Sequence, residues 1–169
     1  RSTLLPAQQP TSQAVGEAAV FKSEPAHKFD IQAQQSRDPA SAEEVSQKSD
    51  MDYQFALAET YSLEGDSRRA IEGFKAVLIK DPDSAVVKMK LALEYVKLGV
   101  VSEAVKYAEE VEAHDPKHVE AKLLLGGLYS TLKLYEKALQ SYKSVIQIDP
   151  SYESEATLYM GAIYAEKND

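Results

Sequence analysis

Cysteine and tryptophan are absent from the 169 residues of this chain, and histidine occurs only three times. Without thiols the chain has no disulfides, no thiolate metal ligands and no cysteine nucleophile. A reducing cytosol and an oxidising exterior both suit such a sequence, so a cytoplasmic and an exported or periplasmic protein both remain open. No apolar run approaches the roughly 20 residues that cross a bilayer, and we expect no direct membrane insertion.

Positive charge is also scarce. The 19 Lys and Arg residues are outnumbered by 27 Asp and Glu residues, for a net charge of −8. This divides into −2 for residues 1–50 (5 basic, 7 acidic) and −6 for residues 51–169 (14 basic, 20 acidic). Both parts would repel a phosphate backbone, and no basic stripe with aromatic contacts occurs. We therefore exclude nucleic acid as a principal partner.

Branched aliphatic residues are few before Asp50, where Gln, Ser, Ala and Pro are frequent. Such a composition cannot bury enough apolar surface to form a core, so we predict a disordered or extended tail over residues 1–40. Ser41 and Glu44 fit a capping box, in which a Ser and a Glu three residues later satisfy amides at a helix start. This predicts a helical lead-in over residues 41–50.

Three apolar residues interrupt the polar tail, at Phe21, Phe29 and Ile31. They are either a short motif that contacts a partner or the chain's own groove, or incidental residues of a linker. The chain opens with Arg1 and has no signal-peptide core, which indicates a processed protein or a fragment.

A repeat of 34 residues runs through the rest of the chain. Five residue series keep this step: Asp-Pro at Pro82, Pro116 and Pro150; Tyr61, Tyr95 and Tyr129; Leu57, Leu91 and Leu125; Ala70, Ala104 and Ala138; Val77, Val111 and Val145. Within each unit the apolar residues follow a helical period, and the closing proline lacks the amide hydrogen that would continue a helix. Each unit is therefore predicted to form two helices, and the array an all-α solenoid.

These residues resemble the tetratricopeptide repeat family, whose pattern has a Leu followed by a small residue, a Tyr three residues later, a turn Gly, an Ala in the second helix and a closing Pro. The resemblance covers residues 51–150. Gly65 and Gly99 occupy the turn position, whereas Lys133 replaces the glycine of the third unit. The resemblance implies helix-turn-helix units that stack side by side and bind other proteins.

We assign three full repeats to residues 51–84, 85–118 and 119–152, and a partial fourth repeat to residues 153–169. In the fourth repeat the register slips to a step of 35, which indicates one inserted residue after Pro150. The last helix is either a cap on the stack or the first helix of a repeat that continues in a longer array. We favour the second alternative, because its apolar side chains exceed what one neighbouring repeat can cover. The apolar surface of the last helix could drive self-association. It consists of Leu158, Met160, Ile163 and Tyr164.

In this family the first helices of successive repeats line a concave groove. The resemblance therefore implies a partner-binding groove made of three positions in each repeat: Phe55, Glu59, Ser62, Met89, Leu93, Val96, Leu123, Gly127 and Ser130. Its centre is apolar, which favours an apolar or amphipathic peptide or protein segment as the partner. Alternatively, the large apolar members Met89, Leu93 and Leu123 pack against adjacent helices.

Chaperone-binding members of the family hold an acidic tail carboxylate with a clamp of Lys, Asn and Arg side chains. This clamp is not reproduced, since Phe55 and Glu59 stand where a cation and an amide would be expected. Lys90 and Lys97 offer only isolated charges.

No catalytic pattern emerges from the remaining residues. His27 lies in the tail, and a turn at Pro116 separates His114 from His118, so the two cannot form a helical metal pair. Neither a nucleophile elbow nor a Gly-rich phosphate loop is present. We predict a non-catalytic interaction scaffold that has no cofactor. Any self-association is expected to use the last helix or the tail. The alternative is the targeting or regulatory region of a larger enzyme or of a secretion or assembly machine, including an exported or lipid-anchored assembly factor.

Overall fold

The computed structural model describes residues 39–168, so the predicted tail, with Phe21, Phe29 and Ile31, lies almost wholly outside the described residues. The described part contains seven α-helices and no strand. Their bounds are Pro39–Leu63 (α1), Ser67–Lys80 (α2), Ala85–Lys97 (α3), Val101–His114 (α4), Val119–Thr131 (α5), Tyr135–Ile148 (α6) and Glu153–Lys167 (α7). The predicted all-α solenoid of three repeats and a fourth first helix is confirmed.

Each helix packs against the next one along the chain, from α1 on α2 to α6 on α7. The helices approach closely because Ala70, Ala104 and Ala138 lie at the contacts, and all three are 0% exposed. The largest fully buried side chains are Phe74, Leu91, Leu125, Val111 and Val145. Burying one such side chain stabilises the fold by about 1.5–3 kcal/mol. Two buried clusters border each other at Val105, Tyr107 and Leu124, which gives the stack a continuous interior.

The turn inside each repeat has the same geometry three times. The carbonyls of Tyr61, Tyr95 and Tyr129 accept a hydrogen bond from the amide five residues later, at 2.8, 2.9 and 2.8 Å. Such a bond closes a helix end when the intervening turn residue adopts a left-handed conformation. Gly65 and Gly99 do so at φ of 82° and 72°, and Lys133 follows them at 57°. The third repeat thus keeps the same turn, although Lys133 has a Cβ atom and the glycines of the other two repeats do not.

The connection between repeats is also repeated. The amides of Asp81, Asp115 and Asp149 donate to the Val carbonyls four residues earlier, and each aspartate ends its helix. The carboxylates of Asp115 and Asp149 then accept from the backbone amide two residues on, at 3.0 Å in both cases. Because the intervening residue is proline, the helix cannot continue, and the chain turns into the next repeat.

The fourth repeat begins with a short 3₁₀ helix, Pro150–Tyr152, that leads directly into α7. Its partly or fully buried residues Ala156, Met160 and Ile163 follow Ala121, Leu125 and Leu128 of α5 with a step of 35. The step changes from 34 to 35 between Pro150 and Ala156. Leu158 and Tyr164 remain 72% and 46% exposed.

Helix α1 starts earlier than the capping box indicates. It begins at Pro39, so Ser41 lies within the first turn. The segment 41–50 and the first helix of the first repeat form one continuous helix, and all ten residues of this segment are exposed. Among residues 39–168, none of the helices combines the length and apolar character that crossing a membrane requires.

Candidate functional site

An open groove of about 610 Å³ lies between the first helices of the last two repeats, α5 and α7. This volume is in the range of natural ligand sites. The end of α3 contributes Val96, and α6 contributes Tyr142. The floor consists mainly of apolar side chains: Leu123, Leu124, Leu128, Ile163 and the Tyr142 ring.

The predicted groove residues of the first repeat are committed to contacts within the fold. Phe55 is partly buried, and its ring meets that of Phe74 edge-on at 5.7 Å between centroids. The carboxylate of Glu59 forms an ion pair with Lys90 at 2.5 Å. These two residues of the predicted set do not line the groove.

Ser62 belongs to a polar network that joins the first repeat to the second. Its hydroxyl donates to Glu94 Oε1 at 2.5 Å, and Lys97 Nζ contacts the same oxygen at 2.7 Å. The Glu94 side chain is only 3% exposed. Burial raises the pKa of Glu94, but the hydrogen bonds from Lys97, Ser62 and Ser67 and the charge of Lys97 together outweigh burial and hold this pKa below its usual value. Glu94 therefore stays ionised as a buried link between α1 and α3.

The predicted residues of the second and third repeats lie at or near the groove. Val96, Leu123, Gly127 and Ser130 line it directly. Met89 is partly buried, and Leu93 is 45% exposed at the position that Gly127 occupies one repeat later. The side chain at this position is Glu59 in the first repeat and Leu93 in the second, and it is absent in the third. The groove is therefore unobstructed at α5.

Two adjacent glycines of α5 have different surroundings. A Cβ atom on Gly126 would lie 2.7 Å from Cζ of Tyr142, so the buried ring requires a glycine there. A Cβ atom on Gly127 would lie 3.7 Å from the Tyr142 hydroxyl oxygen, at an ordinary van der Waals distance. Gly126 is thus needed for packing, whereas the backbone of Gly127 leaves space that the groove occupies.

The α7 wall of the groove was not predicted. Glu155, Tyr159, Ala162 and Glu166 line it at spacings of four, three and four residues, which place them on one helix face. This periodicity was available in the sequence, but the partner of that face was not known. Tyr142 was also missed, because it belongs to a second helix and reaches the groove only across Gly126.

Tyr142 and Tyr159 form a stacked pair at the groove wall, with ring centroids 5.3 Å apart. Burial, together with Tyr159 and Glu155 nearby, raises the pKa of Tyr142 to about 12. Its hydroxyl therefore stays protonated at neutral pH. Within the described residues no hydrogen-bond partner of this hydroxyl is present, so it can donate to a carbonyl or carboxylate of a bound segment.

Two family models, both described as tetratricopeptide repeat, match residues 52–84 and 89–153. Together they account for most of the helical part of the chain. The chain belongs to the tetratricopeptide repeat family. The same fold is found in the first TPR of Spaghetti (RPAP3) bound to the HSP90 peptide SRMEEVD, with a TM-score of 0.65 and 20% identity, over 70% of this chain and 94% of that one. At this identity the likeness shows the fold.

Curated proteins are also similar to parts of this chain. BBSome complex member BBS4 of Bos taurus is 27% identical over 62% of this chain and 21% of its own length. The Hsp70-Hsp90 organizing protein of Triticum aestivum is 28% identical over 73% of this chain and 20% of its own length. The chain therefore spans about a fifth of the length of either relative. The repeats and these likenesses support a protein-interaction scaffold.

The lysines of α3 and α5 are engaged within the fold. All four lysines of α3 and α5 form ion pairs: Lys88 with Glu110, Lys90 with Glu59, Lys97 with Glu94, and Lys122 with Glu112. Lys122 is buried, and its Nζ lies 2.5 Å from Glu112. None of these lysines lines the groove. In residues 39–168, no group of three or more His, Cys, Asp or Glu residues is placed to hold a metal ion.

Proposed function

We propose that these tetratricopeptide repeats bind an apolar or amphipathic segment of a partner protein in the groove between α5 and α7, as a scaffold without catalytic activity. The observation that carries the proposal is the open, apolar-floored groove at Gly127, where the fold leaves a helix position without a side chain. The peptide-bound tetratricopeptide domain and the organizing protein among the similar proteins support a peptide or protein as the partner.

The apolar floor indicates the strength of binding. Each Leu or Phe anchor buried in the groove contributes roughly 1.5–3 kcal/mol, and part of this is offset by ordering the peptide. Three anchors on a peptide that is partly helical in solution give a Kd on the order of micromolar. Such an affinity suits a scaffold that captures and releases its partner.

The proposal can be tested with peptides of about 15 residues selected from a displayed random library. Gly127→Leu fills the groove, and since leucine favours helix over glycine, it leaves the fold intact. Gly161→Leu is the matched control, because Gly161 is exposed on α7, has open space around it and does not line the groove.

We expect selected peptides to lose at least about tenfold in affinity for Gly127→Leu, which corresponds to the loss of one buried anchor. The Gly161→Leu protein should bind them as the unchanged protein does. Circular dichroism checks that both variants remain helical. Equal binding by Gly127→Leu and the unchanged protein would contradict the proposed site.

The alternative, that the repeats are the targeting or regulatory part of a larger enzyme or of a secretion or assembly machine, stays a prediction. It is compatible with a groove that binds a protein segment, because targeting uses the same contacts. The gene sequence on either side of residues 1–169 tests this alternative. Self-association through the exposed Leu158 and Tyr164 of α7 also stays a prediction, and sedimentation of Leu158→Lys would test it.

A further inference from the structure

We infer that the segment bound in the groove is basic as well as apolar, and that it carries more positive charge at one end than at the other. The inference rests on the proposed function and adds the chemistry of the partner. Its basis is that every charged side chain lining the groove is a glutamate: Glu120 on α5, and Glu155 and Glu166 on α7.

These carboxylates are not neutralised by the fold. Neither Glu155 nor Glu166 takes part in an ion pair within residues 41–168; Glu155 accepts a hydrogen bond from Tyr159 at 3.2 Å. The neighbouring Lys167 is engaged elsewhere, since its Nζ lies 2.5 Å from Glu136. The lysines of α3 and α5 are paired as well. The groove therefore presents a negative rim around an apolar floor.

Glu120 has one cationic candidate nearby, His118, whose Nδ1 lies 3.4 Å from the carboxylate. The same Nδ1 accepts a hydrogen bond from the Ala121 amide at 3.2 Å, which caps α5. In this contact Nδ1 is the acceptor that caps α5, so it does not donate to Glu120, whose side chain is 74% exposed.

The positions of the three carboxylates give the partner's charge pattern. Glu120 and Glu155 are related by the same step of 35 that relates the buried residues of α5 and α7, so they mark the same end of the groove. Glu166 lies eleven residues after Glu155, or about 16 Å along a helix axis. The apolar stretch between them contains Tyr159 and Ile163. The partner therefore carries two basic residues at one end, apolar anchors in the middle and one basic residue at the other end.

Synthetic peptides test the inference. Three amphipathic peptides of about 18 residues share one apolar face and carry Lys, Gln or Glu at the three flanking positions. Kd is measured for the unchanged protein and for a triple variant, Glu120→Gln with Glu155→Gln and Glu166→Gln. The charge-matched control variant removes three glutamates outside the groove: Glu64→Gln, Glu72→Gln and Glu103→Gln.

We expect the unchanged protein to bind the Lys peptide most tightly and the Glu peptide least tightly, with each favourable pair contributing about two- to fivefold. The Lys preference should shrink at about 300 mM salt, where exposed charges are screened. It should vanish in the groove triple variant and persist in the control variant. Removing Glu166 alone should weaken binding less than removing Glu120 and Glu155 together.

The contrary outcomes separate the two proposals. If the Lys and Gln peptides bind equally well, and Gly127→Leu abolishes both, the groove binds apolar segments but the charge inference is wrong. If the Lys preference survives in the groove triple variant, the cation binds elsewhere and the inference is also wrong. Failure of all three peptides to bind would contradict both proposals. Concentration-dependent self-association that Gly127→Leu abolishes would identify a second copy as the occupant and overturn the inference.

Discussion

The ring of Tyr142 lies directly against Gly126, with 2.7 Å between Cζ of the tyrosine and the place where a Cβ atom of the glycine would stand. This contact lets a residue of a second helix reach the groove formed by the first helices. In the preceding repeats the equivalent pairs are Ala92 with Ala108 and Ala58 with Phe74. Only the third repeat places a large polar-tipped ring opposite a glycine.

Gly126→Ala should therefore destabilise the protein, although alanine is the better helix former. Overpacking costs about 1–3 kcal/mol, and the better helix propensity of alanine offsets about 1 kcal/mol of this cost. The free energy of unfolding should therefore fall by about 1 kcal/mol. Gly127→Ala has room for its Cβ and should gain about 0.5–1 kcal/mol. Urea unfolding of the two variants measures the difference. Equal free energies of unfolding would show that the Tyr142 ring moves aside at no cost.

Lys133→Gly should stabilise the third repeat. Lys133 has φ of 57°, a conformation that costs about 1–3 kcal/mol for a residue with a side chain, whereas glycine adopts it freely. Glycine also has more conformational entropy in the unfolded chain, which offsets part of this stabilisation. We expect the free energy of unfolding to rise by about 0.5–1 kcal/mol. Lys133→Ala is the control, since it removes the charge but keeps Cβ. A comparable gain from alanine would attribute the effect to the lysine side chain and not to the backbone.

Glu94 should make the stability of the protein depend on pH. Its folded-state pKa lies below the ordinary value of 4.5, so the ionised form stabilises the native state above that value. This contribution is lost as the pH falls from about 4.5 through the lower folded-state pKa. The free energy of unfolding should decrease over this window, and less so in Glu94→Gln. Parallel pH profiles of the two proteins would contradict the assignment.

Removal of the Glu94 side chain should also weaken the protein at neutral pH. Glu94→Ala leaves Ser62 and Lys97 without their shared acceptor, and we expect a loss of about 1–3 kcal/mol in the free energy of unfolding. Ser62→Ala removes only one donor and should cost less. Thermal unfolding of both variants checks the order, and a larger effect of Ser62→Ala would show that the network is not centred on Glu94.

Most of the fold could be predicted from the sequence, because the 34-residue series specify where each helix contacts its neighbours. The glycines of the other repeats correctly predict the turn at Lys133, although a lysine disfavours the left-handed backbone conformation that this turn requires. The start of α1 could not be predicted, since the pattern of Ser41 and Glu44 also fits within a helical turn. Local patterns of this kind do not exclude a longer helix.

Less of the groove could be predicted. A position in the repeat indicates which way a side chain points, but Glu59 and Ser62 are drawn into polar contacts with the next helix. These contacts depend on the particular residues Lys90 and Glu94 across the interface, and not on the repeat pattern. The α7 wall required knowledge of how the fourth repeat packs after its inserted residue.

The central claim is that the groove between α5 and α7 holds the partner, and amide chemical shifts measure this most directly. A selected peptide is titrated into ¹⁵N-labelled protein. We expect the largest shifts at Val96, Gly127 and Ala162, which line the groove from three helices. Shifts confined to the outer side of α7 around Leu158, with Gly127 unmoved, would contradict the account.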